Sequence, residues 1–128
     1  MSDKSIVQRM FIKPGYTLVI LNAPQRYLEK IGDLPENVTI RTNLVSGADI
    51  IQFFTKSQAE LKENYPALKH ALKGDGSLWV TYPKGTSKVG TDINRDIIWK
   101  IGEEFGLKPV AMVSIDSIWV SLRMKKAD

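Results

Sequence analysis

Apolar residues recur along this chain with two rhythms, and the rhythms alternate. Residues 17–21, 49–54 and 77–82 are short, mostly apolar runs rich in β-branched and aromatic side chains, the pattern of strands covered on both faces. Residues 38–41 form a shorter β-rich run, and residues 6–12 are apolar without a clear period, so their state stays open. Helical spacings lie between the runs. Leu61, Tyr65, Leu68 and Leu72 make one stripe, opened by Ser57 and Glu60 in a capping-box pattern. Ile93, Ile97, Ile98, Ile101 and Phe105 make another, capped by Thr91 or Asp92 and ended by Gly106 and Pro109. Pro24 suits the first turn of a helix through about Ile31, which Gly32 and Pro35 close. Pro66 predicts a kink or restart within its helix, and Lys73-Gly74-Asp75-Gly76 reads as a turn. Residues 110–115 and 118–124 read as two strands joined by a tight Asp116-Ser117 turn.

This alternation predicts one three-layer α/β domain over residues 1–128, with residues 1–5 as a flexible tail. The sheet is expected to be mostly parallel, with helices on both faces and a C-terminal antiparallel hairpin. A length of 128 residues suits a single core that needs no staple. The absence of cysteine removes disulfides, thiolate nucleophiles and cysteine-based metal sites. No apolar run approaches the roughly 20 residues of a membrane span, and the first residues lack the apolar core of a signal peptide. The expectation is a cytoplasmic protein with no membrane partner. The net charge of +4 (18 basic, 14 acidic) is read as solubility. Nucleic-acid binding would call for a denser basic stripe than Arg123-Met124-Lys125-Lys126.

The layout resembles a shortened class I methyltransferase domain of Rossmann type. Lys13-Pro14-Gly15 before the first strand, Leu72 to Val80 around the glycine turn, and the closing strand pair carry that resemblance. It implies S-adenosylmethionine on a glycine-rich first loop and an acidic residue after the second strand. The chain departs at both places, with Asn22-Ala23-Pro24 at the first and Arg41-Thr42-Asn43 at the second. The segment between Arg41 and Asp49 is also too short for the usual third strand and its helices. A closer resemblance is to a family of small bacterial proteins classed as a domain of unknown function. Leu21-Asn22-Ala23-Pro24, Trp79-Val80-Thr81-Tyr82-Pro83-Lys84 and Thr91-Asp92 carry it, and it implies no activity.

Ligands of open α/β sheets bind beyond the carboxyl ends of the strands, at a topological switch point. Asn22, Ala23, Pro24, Thr42, Thr55, Lys56, Tyr82 and Lys84 are expected to converge there, with the helix after Thr91 aiming its N–H groups at the same edge. Asn22, Ala23, Pro24, Lys56, Tyr82, Lys84 and Asn94 are the candidate ligand-binding residues. Lys88, Thr91 and Arg95 are candidate anion contacts. The plain alternative is that strand-end loops are simply polar and lysines fill them. His70, the only histidine, falls at the opposite edge of the sheet and is rejected as a base, which removes any serine–histidine–acid triad. Asp92 and Asp116 could pair for acid–base work, but cap and turn roles suit them better. Trp79 reads as core. Trp99 falls outside its helix stripe, marking either a partner surface or packing under the N-terminal segment. Gly85 to Gly90 does not meet phosphate-loop spacing, and a lid accounts for it equally.

With the glycine loop missing and no acid–base pair at the crevice, the sequence reading is a non-catalytic or regulatory module without catalytic or metal-ligating residues. On this reading it has lost S-adenosylmethionine, uses no cofactor, and takes a small anionic ligand or a protein partner, with a homodimer as one form. The alternatives are an enzyme acting on a phosphorylated or carboxylated metabolite, and a weak nucleic-acid binder.

Overall fold

A computed structural model describes residues 4–85 and 90–127. The open segment before the first strand becomes a single turn, α1 (Ile6–Arg9), because Ser5 and Gln8 form a reciprocal capping box. β1 (Thr17–Leu21) follows as expected. Helix α2 (Tyr27–Lys30) is one turn rather than the span 24–31, since Arg26 at its start is left-handed and offers no side-chain cap. β2 (Thr39–Arg41) and β3 (Ala48–Phe54) come next.

Helix α3 (Gln58–Ala71) runs through Pro66 without restarting. Leu61, Tyr65 and Leu68 are each within 1% of full burial and anchor it on both sides of the proline. β4 (Leu72–Pro83) starts earlier than the pattern suggests. Leu72 pairs with Ala48, and a register shift then absorbs the expected 73–76 turn as an irregularity inside the strand. Helix α4 (Arg95–Glu104) leads into β5 (Leu107–Ser114) and β6 (Trp119–Lys126). Pro109 lies within β5, beside a register shift on the sheet's outer strand, where a proline costs no ladder bond from a neighbour on the far side.

The sheet order is β2-β1-β3-β4-β6-β5. Strands β1 to β4 pair in parallel, and β6 pairs antiparallel with both β4 and β5. The fold is therefore a single α/β domain with a mostly parallel sheet and an antiparallel C-terminal hairpin. The unbroken apolar runs serve two cores at once. In β3, Ile51 and Phe53 join Leu61, Tyr65, Ile98 and Met124 under α3 and α4, while Ile50 and Phe54 join Val7, Met10, Tyr27 and Trp79 under α1 and α2. Among the described residues no helix is long and apolar enough to cross a membrane.

Candidate functional site

β1 connects to β2 on one side of the sheet, whereas β3 continues to β4 on the other. The switch point thus falls between β1 and β3, at their carboxyl ends. Two clefts open there, and Asn22 lines both. One, of about 400 Å³, is bounded by Phe54, Thr55, Lys56, Glu60 and Trp119. The other, of about 360 Å³, is bounded by Ala23, Pro24, Tyr27 and Thr42. Both volumes fall in the range of small-molecule sites. The structure brings four predicted residues together here: Asn22, Ala23, Pro24 and Lys56.

Asn22 decides the local geometry. Its φ is 60°, the left-handed region that glycine enters without penalty and asparagine enters more readily than most residues. The chain makes the tight exit from β1 that a glycine would otherwise provide. Asn22 Nδ2 donates to the Phe54 carbonyl at 3.4 Å, tying the loop to the end of β3. Phe54 and Trp119 meet edge to face, with ring centroids 5.1 Å apart, and form an apolar wall.

Glu60 escaped the sequence reading because Ser57 and Glu60 suggested a closed capping box. Only half of the box forms. Ser57 Oγ accepts from Glu60 N at 3.2 Å, but the Ser57 N–H donates to Thr55 Oγ1, also at 3.2 Å. The Glu60 side chain is released toward the cleft, where Oε1 accepts from Thr55 Oγ1 at 2.6 Å. The available signal was Thr55 itself, a hydroxyl two residues ahead of the cap that competes for the same N–H.

Five other predicted residues have other work. Tyr82 shares a face of β4 with Leu78 and Val80, and its hydroxyl donates to Met112 Sδ at 3.7 Å. Burial pushes that phenol above its ordinary pKa. Lys84 lies against the hairpin, with its N–H donating to the Ile118 carbonyl and Nζ to Ser114 Oγ, both at 2.7 Å. Asn94, not Thr91 or Asp92, caps α4, its side chain accepting from Ile97 N at 3.0 Å. Thr91 Oγ1 donates to the Lys56 carbonyl at 2.8 Å, so it braces the cleft wall from behind. Arg95 is exposed and faces Asp96 at 3.6 Å. Lys88 lies outside the described residues.

Asp92 caps a different helix from the one expected. Its carboxylate accepts from Gln58 N at 2.9 Å, and its carbonyl accepts from Gln58 Nε2 at 2.8 Å. The positive end of α3 is therefore engaged by the protein's own carboxylate. Asp116 is the turn residue expected, accepting from the Ile118 and Trp119 N–H groups at 2.8 Å and pairing with Lys30 at 3.1 Å. Burial alone would raise its pKa. The hydrogen bonds from Trp119, Ile118 and Lys30 outweigh that and hold it below the usual carboxylate value. His70 is exposed beside Pro66 and Phe105 at the opposite edge.

No family model matches the chain, and no curated protein matches its sequence. Solved structures do match its fold. A mitomycin 7-O-methyltransferase superposes with a TM-score of 0.65 at 11% identity, covering 88% of this chain and 49% of its own. The chain thus spans about half the length of that enzyme. The ribosomal protein L11 methylase of Lactobacillus delbrueckii subsp. bulgaricus gives 0.62 at 13% identity, covering 96% and 75%. A TehB-like S-adenosylmethionine-dependent methyltransferase of Corynebacterium glutamicum gives 0.58 at 13% identity, covering 94% and 85%.

These likenesses overturn two expectations, the non-catalytic module and the loss of S-adenosylmethionine. The fold is shared with S-adenosylmethionine-dependent methyltransferases, and one such neighbour was solved with that cofactor bound. The expectation failed because it equated a missing glycine with a missing turn, and Asn22 makes that turn. The chain has the methyltransferase-like Rossmann fold, with β2 at one edge of its sheet and β5 at the other.

Proposed function

We propose that this chain is a methyltransferase-like catalytic domain that binds S-adenosylmethionine at the carboxyl ends of β1, β2 and β3. The left-handed Asn22 at the junction of the two clefts carries this reading. The residues present fit the group in three respects. The exit from β1 is tight enough for a ligand to approach the backbone. Asn22 Oδ1 accepts from no described residue and can receive a ribose hydroxyl. A wall of Phe54 and Trp119 suits an adenine ring or the methyl-bearing sulfur. In place of the acid expected after β2 stands Arg41-Thr42-Asn43, of which Thr42 lines the second cleft.

When bound, the cofactor supplies an activated methyl group for transfer to a nucleophile. The protein's part is binding, orientation and exclusion of water. Glu60, steadied by Thr55, presents a carboxylate to a cationic or hydroxyl-bearing ligand. Lys56 is placed to take a ligand carboxylate, its backbone held by Thr91 and Asp92. The Phe54–Trp119 pair keeps one side of the cleft dry.

Calorimetric titration with S-adenosylmethionine and with S-adenosylhomocysteine tests the proposal. Saturable binding with Kd on the order of micromolar to a hundred micromolar is expected. Asn22→Ala should weaken it roughly tenfold, as the loss of a hydrogen bond at the junction requires. No heat from either ligand at about 1 mM, a concentration that detects even weak sites, would overturn it.

A further inference from the structure

A third cleft, of about 320 Å³, opens at the other edge of the sheet, where the parallel strands begin. Its central feature is Arg123, on β6. The guanidinium carbon lies 5.2 Å from the Phe11 ring centroid and 5.7 Å from that of Trp79, within cation–π range of both. Arg123 Nε donates to Ser77 Oγ at 2.9 Å. Three contacts therefore hold the planar group, while among the described residues nothing accepts from Nη1 or Nη2. Lys13 and Lys125 line the same cleft.

Two carboxylates also line it. Asp49 is already engaged, accepting from Thr17 N at 2.8 Å and pairing with Lys73 at 3.1 Å. Asp75 stands at the rim, its carbonyl accepting from Lys125 Nζ at 3.3 Å. With Asp49 and Lys73 balanced, three cations face one remaining carboxylate.

Phe11 adds an independent observation. It follows α1 with φ 60°, and the bonds Phe11 N to Gln8 O and Ile12 N to Val7 O, each 3.2 Å, complete a Schellman cap. Glycine is the ordinary residue there, and a bulky side chain is strained. The ring is nevertheless half exposed and lies over Arg123. The cap that ends α1 thus sets the ring at the cleft lining, where it holds the arginine in place.

We propose that this cleft binds a small oxyanion, a carboxylate or a phosphate monoester, on the unused Nη edge of Arg123. A fixed guanidinium fork suits two oxygens of one group, and Lys13 and Lys125 supply further charge. The site is separate from the carboxyl-end crevice and does not depend on its assignment.

The test follows the Arg123 Nε–H resonance by nitrogen-15 NMR, titrating the whole protein with inorganic phosphate and, in parallel, with succinate. The expected result is a saturable shift of Arg123 while the Nε–H of the exposed Arg26 stays still, and the tighter of the two probes identifies the oxyanion. Arg123→Lys keeps the charge without the fork and should weaken binding roughly tenfold or more. Phe11→Gly should also weaken binding without lowering Tm, because it relieves the left-handed strain and frees the guanidinium. Equal shifts at Arg26 and Arg123, no saturation at about 10 mM, well above the range of a built site, or unchanged affinity in Arg123→Lys would each overturn the proposal.

Discussion

Single side chains do unusual duty in this small domain. Asn22 and Phe11 occupy left-handed positions where glycine is the default, and each faces a cleft. The Trp79 indole N–H is buried with no acceptor among the described residues, a cost of about 1–3 kcal/mol that the rest of its core must offset. Asp116 is the residue whose charge contributes most legibly to stability. Its folded-state pKa is depressed, so its contribution is present above the unfolded carboxylate value near 4 and is lost as pH falls through the folded value. Asp116→Asn should therefore lower unfolding free energy by about 1–2 kcal/mol at pH 7, with the gap to wild type shrinking toward pH 3. Urea melts at the two pH values check this; an equal gap at both would show that the charge is not the source.

Elements followed the sequence where hydrophobic spacing was strong and strayed where backbone chemistry competed. β1 matched its run residue for residue. α2 shrank to one turn because Arg26 is left-handed, which no periodicity reveals. α3 defied Pro66, since a stripe of buried residues on both sides holds it in one piece. That proline still lacks an N–H for the helix ladder. Its interior penalty of about 3 kcal/mol, less the unfolded-chain entropy of about 1 kcal/mol that proline removes, predicts that Pro66→Ala stabilises by about 1–2 kcal/mol. Thermal melts followed by circular dichroism check it, and a lower Tm would mean that the proline is accommodated without strain. The candidate site was legible to a similar degree. Asn22 to Pro24 and Lys56 follow strand ends, whose place the topology dictates. Tyr82 turned inward through strand alternation and Asn94 became a cap, and these are choices made by neighbours distant in sequence.

The whole molecule is a sheet between two cores, and a polar row crosses one of them. Tyr27 Oη donates to Gln52 Oε1 at 2.9 Å, Gln52 Nε2 donates to Thr81 Oγ1 at 3.1 Å, and Thr81 meets Ser121 Oγ at 2.8 Å. The row links α2, β3, β4 and β6 inside an apolar layer, where each lost partner strands a buried group. Gln52→Ala should destabilise by about 2–4 kcal/mol, from the orphaned Tyr27 hydroxyl, the lost bond to Thr81 (which keeps Ser121) and a cavity, as measured by chemical denaturation. A loss under about 1 kcal/mol, the size of one ordinary bond, would mean that water replaces the amide. Burial pushes the phenols of Tyr27, Tyr65 and Tyr82 above their ordinary pKa. Groups whose folded pKa is raised contribute stability that is full below the unfolded value of about 10 and is lost as pH rises through the folded value. Tyrosine absorbance should accordingly report these phenolates only together with alkaline unfolding; their appearance in protein that keeps its near-ultraviolet circular dichroism would contradict the packing.

By itself the sequence determined the alternation of strands and helices, the parallel sense of the main strands and the closing hairpin. These follow from local periodicity and from which connections are long enough to cross a sheet. Only the tertiary structure decided that an asparagine does the work of a glycine, that a half-formed capping box turns Glu60 into a cleft, and that Arg123 is clamped between two rings rather than trailing in a basic tail. The asparagine turn depends on a backbone angle and the arginine's placement on contacts between residues far apart in the chain, while Glu60 is released by a local competition with Thr55; none of these is written in the spacing of apolar positions.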